Sequence, residues 1–265
     1  MVTSDPDLAV RNLGKCRIPS PMSRVRFIND KERVLYHSSL NELEALLEAG
    51  KRVPGFELAG PRKDIFFDPS RLTCGIVTCG GICPGVNDVI RAITLSLFHH
   101  YGISAVFGFR YGFEGLSPEH GHEPLKLTPE LVSDIHQKGG TILGSSRGPQ
   151  DVSHMVETLD KMNVGILFVI GGDGTLRGAQ ALFEEIERRG LKIGVIGIPK
   201  TIDNDISCVD RSFGFDTAVA ESRTAIYSAH VEAIGARNGI GLVKLMGRHS
   251  GFIAAHAALA NNDAN

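Results

Sequence analysis

Short apolar runs alternate with amphipathic stretches from Leu72 onward, and this alternation limits the fold more than any other feature of the sequence. Five runs are long enough for a strand, and each is bounded by glycine, proline or polar residues. Because buried parallel strands read as continuous apolar runs joined by helices, the pattern predicts an α/β fold with a doubly wound, Rossmann-like sheet. The predicted strands cover residues 74–78, 103–107, 164–170, 193–198 and 241–245.

The stretches between these runs predict helices. Residues 87–98 and 175–189 each place apolar side chains on one face at helical spacing. A Thr-Pro pair at 128–129 and a Gly-Gly pair at 139–140 predict the start and end of another helix. Small residues predict a last helix at 253–260.

The first 70 residues differ from the rest, since prolines are scattered among few long apolar runs. A capping box of Ser39 and Glu42 predicts one helix there. We therefore expect an N-terminal arm at 1–70, an α/β domain at 71–215, and the start of a second, incomplete α/β domain at 216–265.

Charge and composition exclude several classes of protein. With 28 basic and 30 acidic residues the formal charge is −2, so the protein has no net positive charge that would attract nucleic acid or an anionic membrane. No apolar run is long enough to span a bilayer, and the N-terminus lacks the plan of a secretory signal. The five cysteines are an odd set with no common zinc spacing, which favours reduced thiols. A cytoplasmic protein is the expectation.

Glycine-rich loops follow two of the predicted strands, at the sheet edge where ligands of such folds collect. Residues 80–85 (GGICPG) offer free amide groups to a phosphate, although such turns also serve tight packing. Residues 171–175 (GGDGT) add Asp173, which would repel a polyphosphate unless a divalent cation such as Mg²⁺ bridged the two. The alternative is an aspartate in a helix-capping turn. No P-loop pattern occurs.

Three further loops carry polar side chains suited to phosphate chemistry. Residues 199–205 (PKTIDND) hold two aspartates two positions apart, of which one can take a proton while the other holds metal or orients its partner. A plain Asx-rich turn is the alternative reading. Arg248 in 246–251 (MGRHSG) and Arg147 in 139–147 could each pair with a phosphate. Five such loops in one chain are improbable as independent accidents.

Together and in this order, these loops resemble the ATP- and pyrophosphate-dependent phosphofructokinase family, from about Ile65 to the end of the chain. Residues 112–116 (GFEGL) extend the resemblance, and residues 64–69 (DIFFDP) are similar to the long subgroup of trypanosomatids, plants and some bacteria. The resemblance implies a 6-phosphofructokinase, which transfers a phosphoryl group from ATP to the 1-hydroxyl of fructose 6-phosphate in glycolysis. It also implies a homo-oligomer, a tetramer by subgroup.

The resemblance also implies roles for individual residues. Asp203 would be the general base for the sugar hydroxyl, Asp173 would bind Mg²⁺ through water, and Asp205 would support the metal or the base. Arg147 and Gly81 would complete the catalytic set. The ATP-binding positions would be Gly80, Gly81, Arg147, Gly172, Asp173, Gly174, Thr175 and Lys200. The sugar-phosphate positions would be Thr201, Asp203, Asp205, Met246, Gly247 and Arg248.

Two positions bear on the phosphoryl donor. In this family a glycine at position 174 leaves room for the α-phosphate of ATP, whereas Lys200 is a residue type often found in pyrophosphate users. We favour ATP because a missing side chain is a steric condition, while a lysine can serve either polyphosphate. A pyrophosphate-dependent enzyme is the alternative.

Other readings remain open at this stage. A lipid or NAD kinase would share residues 171–175 without the loops at 199–205 and 246–251. A non-catalytic sensor of sugar phosphate would not need Asp203 as a proton acceptor. Because family members continue past residue 265, the resemblance further implies a fragment with little or no activity in isolation.

Overall fold

The computed structural model describes residues 8–36, 39–261 and 264. In that part of the chain the β-strands are β1 (Ile18–Pro19), β2 (Arg33–Leu35), β3 (Gly55–Glu57), β4 (Asp64–Ile65), β5 (Thr73–Thr78), β6 (Ala105–Phe109), β7 (Leu125–Lys126), β8 (Val164–Gly171) and β9 (Gly194–Pro199). The α-helices are α1 (Leu40–Glu48), α2 (Val86–Tyr101), α3 (Val152–Lys161), α4 (Asp173–Arg188), α5 (Phe215–Gly235) and α6 (Phe252–Leu259). None of these helices combines the length and hydropathy that crossing a membrane requires.

The chain divides into two compact units, Met1–Arg71 with His100–Gly102, and Leu72–His99 with Ile103–Asn265. Residues 216–265 belong to the second unit, together with the sheet. The expected start of a further domain at 216 therefore stays a proposal.

The first unit contains two short antiparallel pairs, β1 with β4 and β2 with β3. Helix α1 begins directly after Ser39, as the capping box predicts. The Ser39 side chain, however, makes no capping hydrogen bond. The helix has no buried residue, so its position owes little to apolar packing.

The second unit is built on a five-stranded sheet of order β7-β6-β5-β8-β9. Strands β6, β5, β8 and β9 are parallel, and β7 adds an antiparallel edge. This arrangement confirms the predicted α/β class with a largely parallel sheet. Because parallel neighbours end at the same edge, the loops after β5, β8 and β9 lie side by side.

One part of the buried core lies between the sheet and helices α3 and α4. Helix α4 turns Thr175, Ala179, Leu182 and Ile186 inward at helical spacing. The buried cluster around them contains Val77, Cys79, Phe109, Leu116, Met155, Val156, Leu159, Val164, Leu167, Val169, Ala179, Leu182, Ile186 and Ile193. Such a core fixes the strand ends from which the loops emerge.

Four of the five predicted strands are present. The first, third and fourth agree with β5, β8 and β9 to within a residue or two, while β6 begins two residues later than predicted. The predicted helices at 87–98, 175–189 and 253–260 correspond to α2, α4 and α6.

The predicted strand at 241–245 is wrong, because the structure shows no regular element there. Ile240 and Leu242 are 91% and 93% exposed. A strand needs a hydrogen-bonded neighbour, and among the described residues β9 forms the edge of the sheet. An apolar run alone does not supply that neighbour.

The predicted helix from 128 to 139 is also wrong. The segment forms turns and one 3-10 helix, Ile135–Gln137. Thr128 Oγ1 accepts a hydrogen bond from Leu131 N at 3.2 Å, so the Thr-Pro pair does begin a turn. Val132 and Ile135 are nevertheless buried, so the segment packs against the rest of the unit without forming an α-helix.

Candidate functional site

Main-chain hydrogen bonds hold the loops after β5, β8 and β9 together. Cys79 N, just after β5, donates to Ile170 O of β8 at 2.9 Å. Lys200 N, just after β9, donates to Gly171 O of β8 at 2.9 Å. The glycine-rich and aspartate-rich segments that the sequence singled out therefore begin at neighbouring points of one sheet edge.

The loop at residues 80–85 is bound to the segment that carries Arg147. Gly80 has a φ of +83°, which favours glycine, and its N–H donates to Ser146 O at 3.2 Å. Ser145 Oγ donates to Gly80 O at 2.5 Å. A Cβ added at Gly81 would lie 3.2 Å from Arg147 Nη2. A side chain at Gly81 would therefore crowd the guanidinium, which would have to shift by a few tenths of an ångström.

Lys200 is a buried cation, with only 5% of its surface exposed. Its Nζ donates a hydrogen bond to Gly81 O, linking the loop after β9 to the loop after β5. Burial lowers the pKa of Lys200, while the thiols of Cys83 and Cys79 act in the opposite direction. The charge of Arg147 lowers the Lys200 pKa further, and that of Asp203 raises it.

The start of α4 presents the remaining members of the GGDGT loop. Gly172 is the N-cap residue, and Asp173 in the first turn forms an ion pair with Arg177, Oδ2 to Nη1, at 2.5 Å. A Cβ added at Gly174 would meet no atom within 4 Å. Thr175 is buried, and its Oγ1 lies 3.8 Å from the position that a Gly80 Cβ would take.

The donor set at this site fits a Mg²⁺ ion that arrives with a polyphosphate. Among the residues that the structure describes, no group of three His, Cys, Asp or Glu side chains could hold a metal by itself. Asp173 has a 65% exposed side chain at a helix N-terminus. One exposed carboxylate suits Mg²⁺, which keeps several waters and takes its other ligands from substrate phosphates.

Asp203 has both of its main-chain polar groups engaged. Its N–H donates to Thr201 Oγ1 at 3.0 Å, and Thr201 Oγ1 donates to Asp205 Oδ1 at 3.3 Å. Its carbonyl accepts a hydrogen bond from Ser250 Oγ at 2.7 Å. Within residues 8–36, 39–261 and 264, nothing hydrogen-bonds to the Asp203 carboxylate. The carboxylate is thus held by its backbone and left available.

The next residue, Asn204, is held in a left-handed conformation with φ of 52°. Its Oδ1 accepts from Ser212 N at 2.8 Å, and its Nδ2 donates to Asp210 O at 3.1 Å. Ser212 is buried and donates from Oγ to Thr201 O at 2.5 Å. This network closes the loop at 199–212 on itself.

The electrostatics around Asp203 favour proton uptake. Burial raises the pKa of Asp203, and the neighbouring charge of Asp205 raises it further. The charges of Arg248 and Lys200 act in the opposite direction. A carboxyl group whose pKa lies above its ordinary value is a better proton acceptor than an exposed aspartate.

The 246–251 loop carries Arg248, whose charge lowers the pKa of Asp203. Met246 is 74% exposed. Gly247 has a φ of +138°, and a Cβ there would come within 2.7 Å of Ser250 O. Ser250 N donates to Gly247 O at 2.7 Å, which closes the turn around Arg248.

Most of the residues selected from the sequence are brought together. Contacts or charge interactions join Gly80, Gly81, Arg147, Gly172, Thr175, Lys200, Thr201, Asp203, Asp205 and Arg248. Asp173, Gly174, Met246 and Gly247 lie on the same loops, and among the described residues no hydrogen bond or ion pair joins them to Asp203. Sequence reasoning assigned no role to Cys83, Ser212 or Ser250, since only contacts across the fold connect them to the site.

Fold and site together define an α/β protein with glycine-rich loops and an available carboxylate at the carboxyl ends of its parallel strands. Comparison with known proteins gives the family. The phosphofructokinase family model matches residues 73–265. The chain belongs to the phosphofructokinase family.

Known relatives carry more specific names. This chain is 51% identical to an ATP-dependent 6-phosphofructokinase of Amycolatopsis methanolica, covering 98% of this chain and 58% of that protein. It is 48% identical to the ATP-dependent 6-phosphofructokinase of Trypanosoma brucei brucei, covering 98% and 54%. The chain therefore spans little more than half the length of these relatives. Phosphofructokinase from Saccharomyces cerevisiae has a similar structure, with a TM-score of 0.60 and 27% identity over 72% of this chain and 28% of that one.

Proposed function

We propose that the protein is an ATP-dependent 6-phosphofructokinase, which converts fructose 6-phosphate and ATP to fructose 1,6-bisphosphate and ADP. The observation that carries the proposal is the available carboxylate of Asp203 beside Arg248 and Lys200, at the edge where the glycine-rich loops meet. The names of relatives about 50% identical support the same activity.

Asp203 acts as the general base in this proposal. It accepts the proton of the sugar 1-hydroxyl while that oxygen forms a bond to the γ-phosphorus of ATP and the bond from phosphorus to ADP breaks. Positioning and charge stabilisation account for catalysis, with no covalent enzyme intermediate. A raised Asp203 pKa supports this role.

The polyphosphate lies along Gly80 and Gly81 in this proposal, with Arg147 neutralising charge on the transferring group. The Lys200 bond to Gly81 O would stiffen that loop and place a positive charge behind it. Asp173 would hold Mg²⁺ through water, and the metal would supply charge neutralisation on the phosphates. Gly172, Gly174 and Thr175 would complete the ATP-binding positions.

The sugar phosphate lies on the other side of Asp203. Arg248 is exposed and has the charge to pair with its phosphate, and the exposed Met246 and the buried Gly247 precede it in the same loop. Thr201 and Asp205 are hydrogen-bonded to each other beside the base and would border the sugar. A tetrameric assembly and a cytoplasmic location belong to the same proposal and rest on the resemblance.

ATP is the proposed donor because the space around Gly174 is open. A Cβ at this position meets nothing within 4 Å, so a larger phosphate chain has room to pass. Lys200 keeps pyrophosphate as the alternative donor, since a cation there can serve either compound.

The test is a coupled assay of the protein expressed from its complete gene, with fructose 6-phosphate and either ATP or pyrophosphate. We expect turnover with ATP and at least tenfold less with pyrophosphate.

A variant of the proposed base tests the mechanism. Asp203→Asn should lower kcat about 10²- to 10⁴-fold, the usual contribution of a general base, whereas Asp160→Asn, at an exposed position, should not change kcat. Rates no higher than background in both the wild type and the Asp203 variant would support a sensor. Phosphorylation of NAD in place of the sugar would support a related kinase.

A further inference from the structure

Ser250 links two loops that are far apart in the sequence. Its hydroxyl donates to the main-chain carbonyl of Asp203 at 2.7 Å, across 47 positions of the chain. Its own N–H donates to Gly247 O at 2.7 Å, so the side chain is fixed relative to the turn that carries Arg248. The bond therefore connects the loop of the proposed base with the loop of the proposed sugar-phosphate residues.

The bond also completes the restraint on the main chain of Asp203. Thr201 Oγ1 accepts the Asp203 N–H, and Ser212 and Asp210 hold Asn204 on the other side. The carbonyl is the remaining main-chain polar group of Asp203, and it accepts the hydrogen bond from Ser250 Oγ. Loss of the hydroxyl would leave this side of the loop free to move.

We propose that Ser250 is a positioning residue for the phosphoryl transfer, which rests on the proposed function. It keeps the Asp203 carboxylate and Arg248 at a constant separation, so that a sugar phosphate bound by the arginine presents its hydroxyl to the base. A general base must lie within hydrogen-bond reach of the proton that it removes. A displacement of 1 Å costs about 10²-fold in rate, so a partial displacement has a measurable effect.

The experiment compares Ser250→Ala and Ser250→Thr in the protein expressed from its complete gene. We expect Ser250→Ala to lower kcat about tenfold, part of the full effect of misplacement. The KM for fructose 6-phosphate should rise while the KM for ATP stays within about twofold, since the change acts at the sugar side. Ser250→Thr, which keeps a hydroxyl, should restore most of the rate. Ser228→Ala is the matched control, because this exposed serine on α5 makes the same kind of bond, to Thr224 O at 2.8 Å.

A double-mutant comparison separates positioning from general stability. If Ser250 acts through Asp203, Ser250→Ala should cause no further loss of kcat in the Asp203→Asn background. An equal loss in both backgrounds, or an unchanged rate in Ser250→Ala, overturns the inference. A wild-type protein without turnover on fructose 6-phosphate overturns the proposed function and this inference with it. Ser250→Cys replaces the hydroxyl by a nearly isosteric but weak donor and should lower kcat to the same extent. This variant replaces Ser250→Ala in the experiment if the alanine variant does not fold.

Discussion

Two glycines of the GGDGT loop differ in whether the fold has space for a side chain at their position. A Cβ at Gly171 would lie 2.4 Å from the Thr175 side chain, so this position admits glycine alone without rearrangement. Gly174, three positions on, faces open space. A side chain at Gly174 should therefore leave the fold intact, and in the proposed ATP site it would act on the ligand, which allows the donor hypothesis to be tested directly.

We predict that Gly174→Asp weakens ATP binding at least tenfold, because a carboxylate would occupy the phosphate path and repel it. Gly174→Ala is the uncharged control, and it should raise the stability by about 0.5–1 kcal/mol through its better helix propensity. Titration with ATP and thermal unfolding of both variants provide the measurements. Unchanged ATP affinity in Gly174→Asp would remove the steric argument for the donor.

In the proposed mechanism the pH dependence of activity reports on Asp203, which must be unprotonated to accept a proton. Since burial and Asp205 raise the pKa of Asp203, the rate should fall on acidification at a higher pH than an ordinary aspartate would give. Asp205→Asn removes a like charge and lowers the Asp203 pKa, so the acid limb of kcat/KM should move to lower pH. Asp160→Asn should leave the acid limb of kcat/KM at the same pH. If Asp205→Asn also leaves it there, the acid limb reports the titration of a group other than Asp203.

At the element scale, Leu143 anchors the loop of Arg147 to the sheet. It is fully buried, and its side chain fills the space over Gly108 of β6. Its carbonyl accepts from Tyr111 N at 2.7 Å, and Thr78 Oγ1 donates to the next carbonyl, Gly144 O, at 2.7 Å. The loop is thus attached to β5 directly and to the segment that follows β6.

We predict that Leu143→Ala destabilises the protein by about 2–5 kcal/mol, the usual cost of removing a buried leucine side chain. Leu131→Ala is the control, because Leu131 is 41% exposed and should change stability by less than about 0.5 kcal/mol. Urea unfolding followed by circular dichroism measures both. Similar midpoints for the two variants would show that the loop does not depend on this packing.

At the scale of the whole molecule, the five cysteines divide into two classes. All are free thiols, Cys16 and Cys208 exposed and the other three buried. Burial raises the pKa of Cys74 and Cys79 to about 12 and that of Cys83 to about 11. These thiols are protonated at neutral pH and shielded from solvent.

We therefore predict that a thiol reagent such as dithiobis(nitrobenzoate) modifies two cysteines rapidly in the native protein and all five after denaturation. Reducing agent should not change the thermal midpoint, because no disulfide contributes to stability. Cys16→Ser and Cys208→Ser should each remove one fast-reacting thiol. More than two fast thiols in the native state would indicate that the buried set opens readily.

Four of the five strands of the central sheet, and the loops that carry the candidate site, could be predicted from the sequence, because periodicity and turn chemistry are local properties of a chain. The prediction of a strand at 241–245 is wrong because a strand needs a paired neighbour, which a local pattern does not reveal. Likewise, two hydrogen bonds depend on packing between distant segments. Lys200 donates one to the Gly81 carbonyl, and Ser250 donates the other to the Asp203 carbonyl. Residue types predict which chemistry is available, and the fold decides which groups meet.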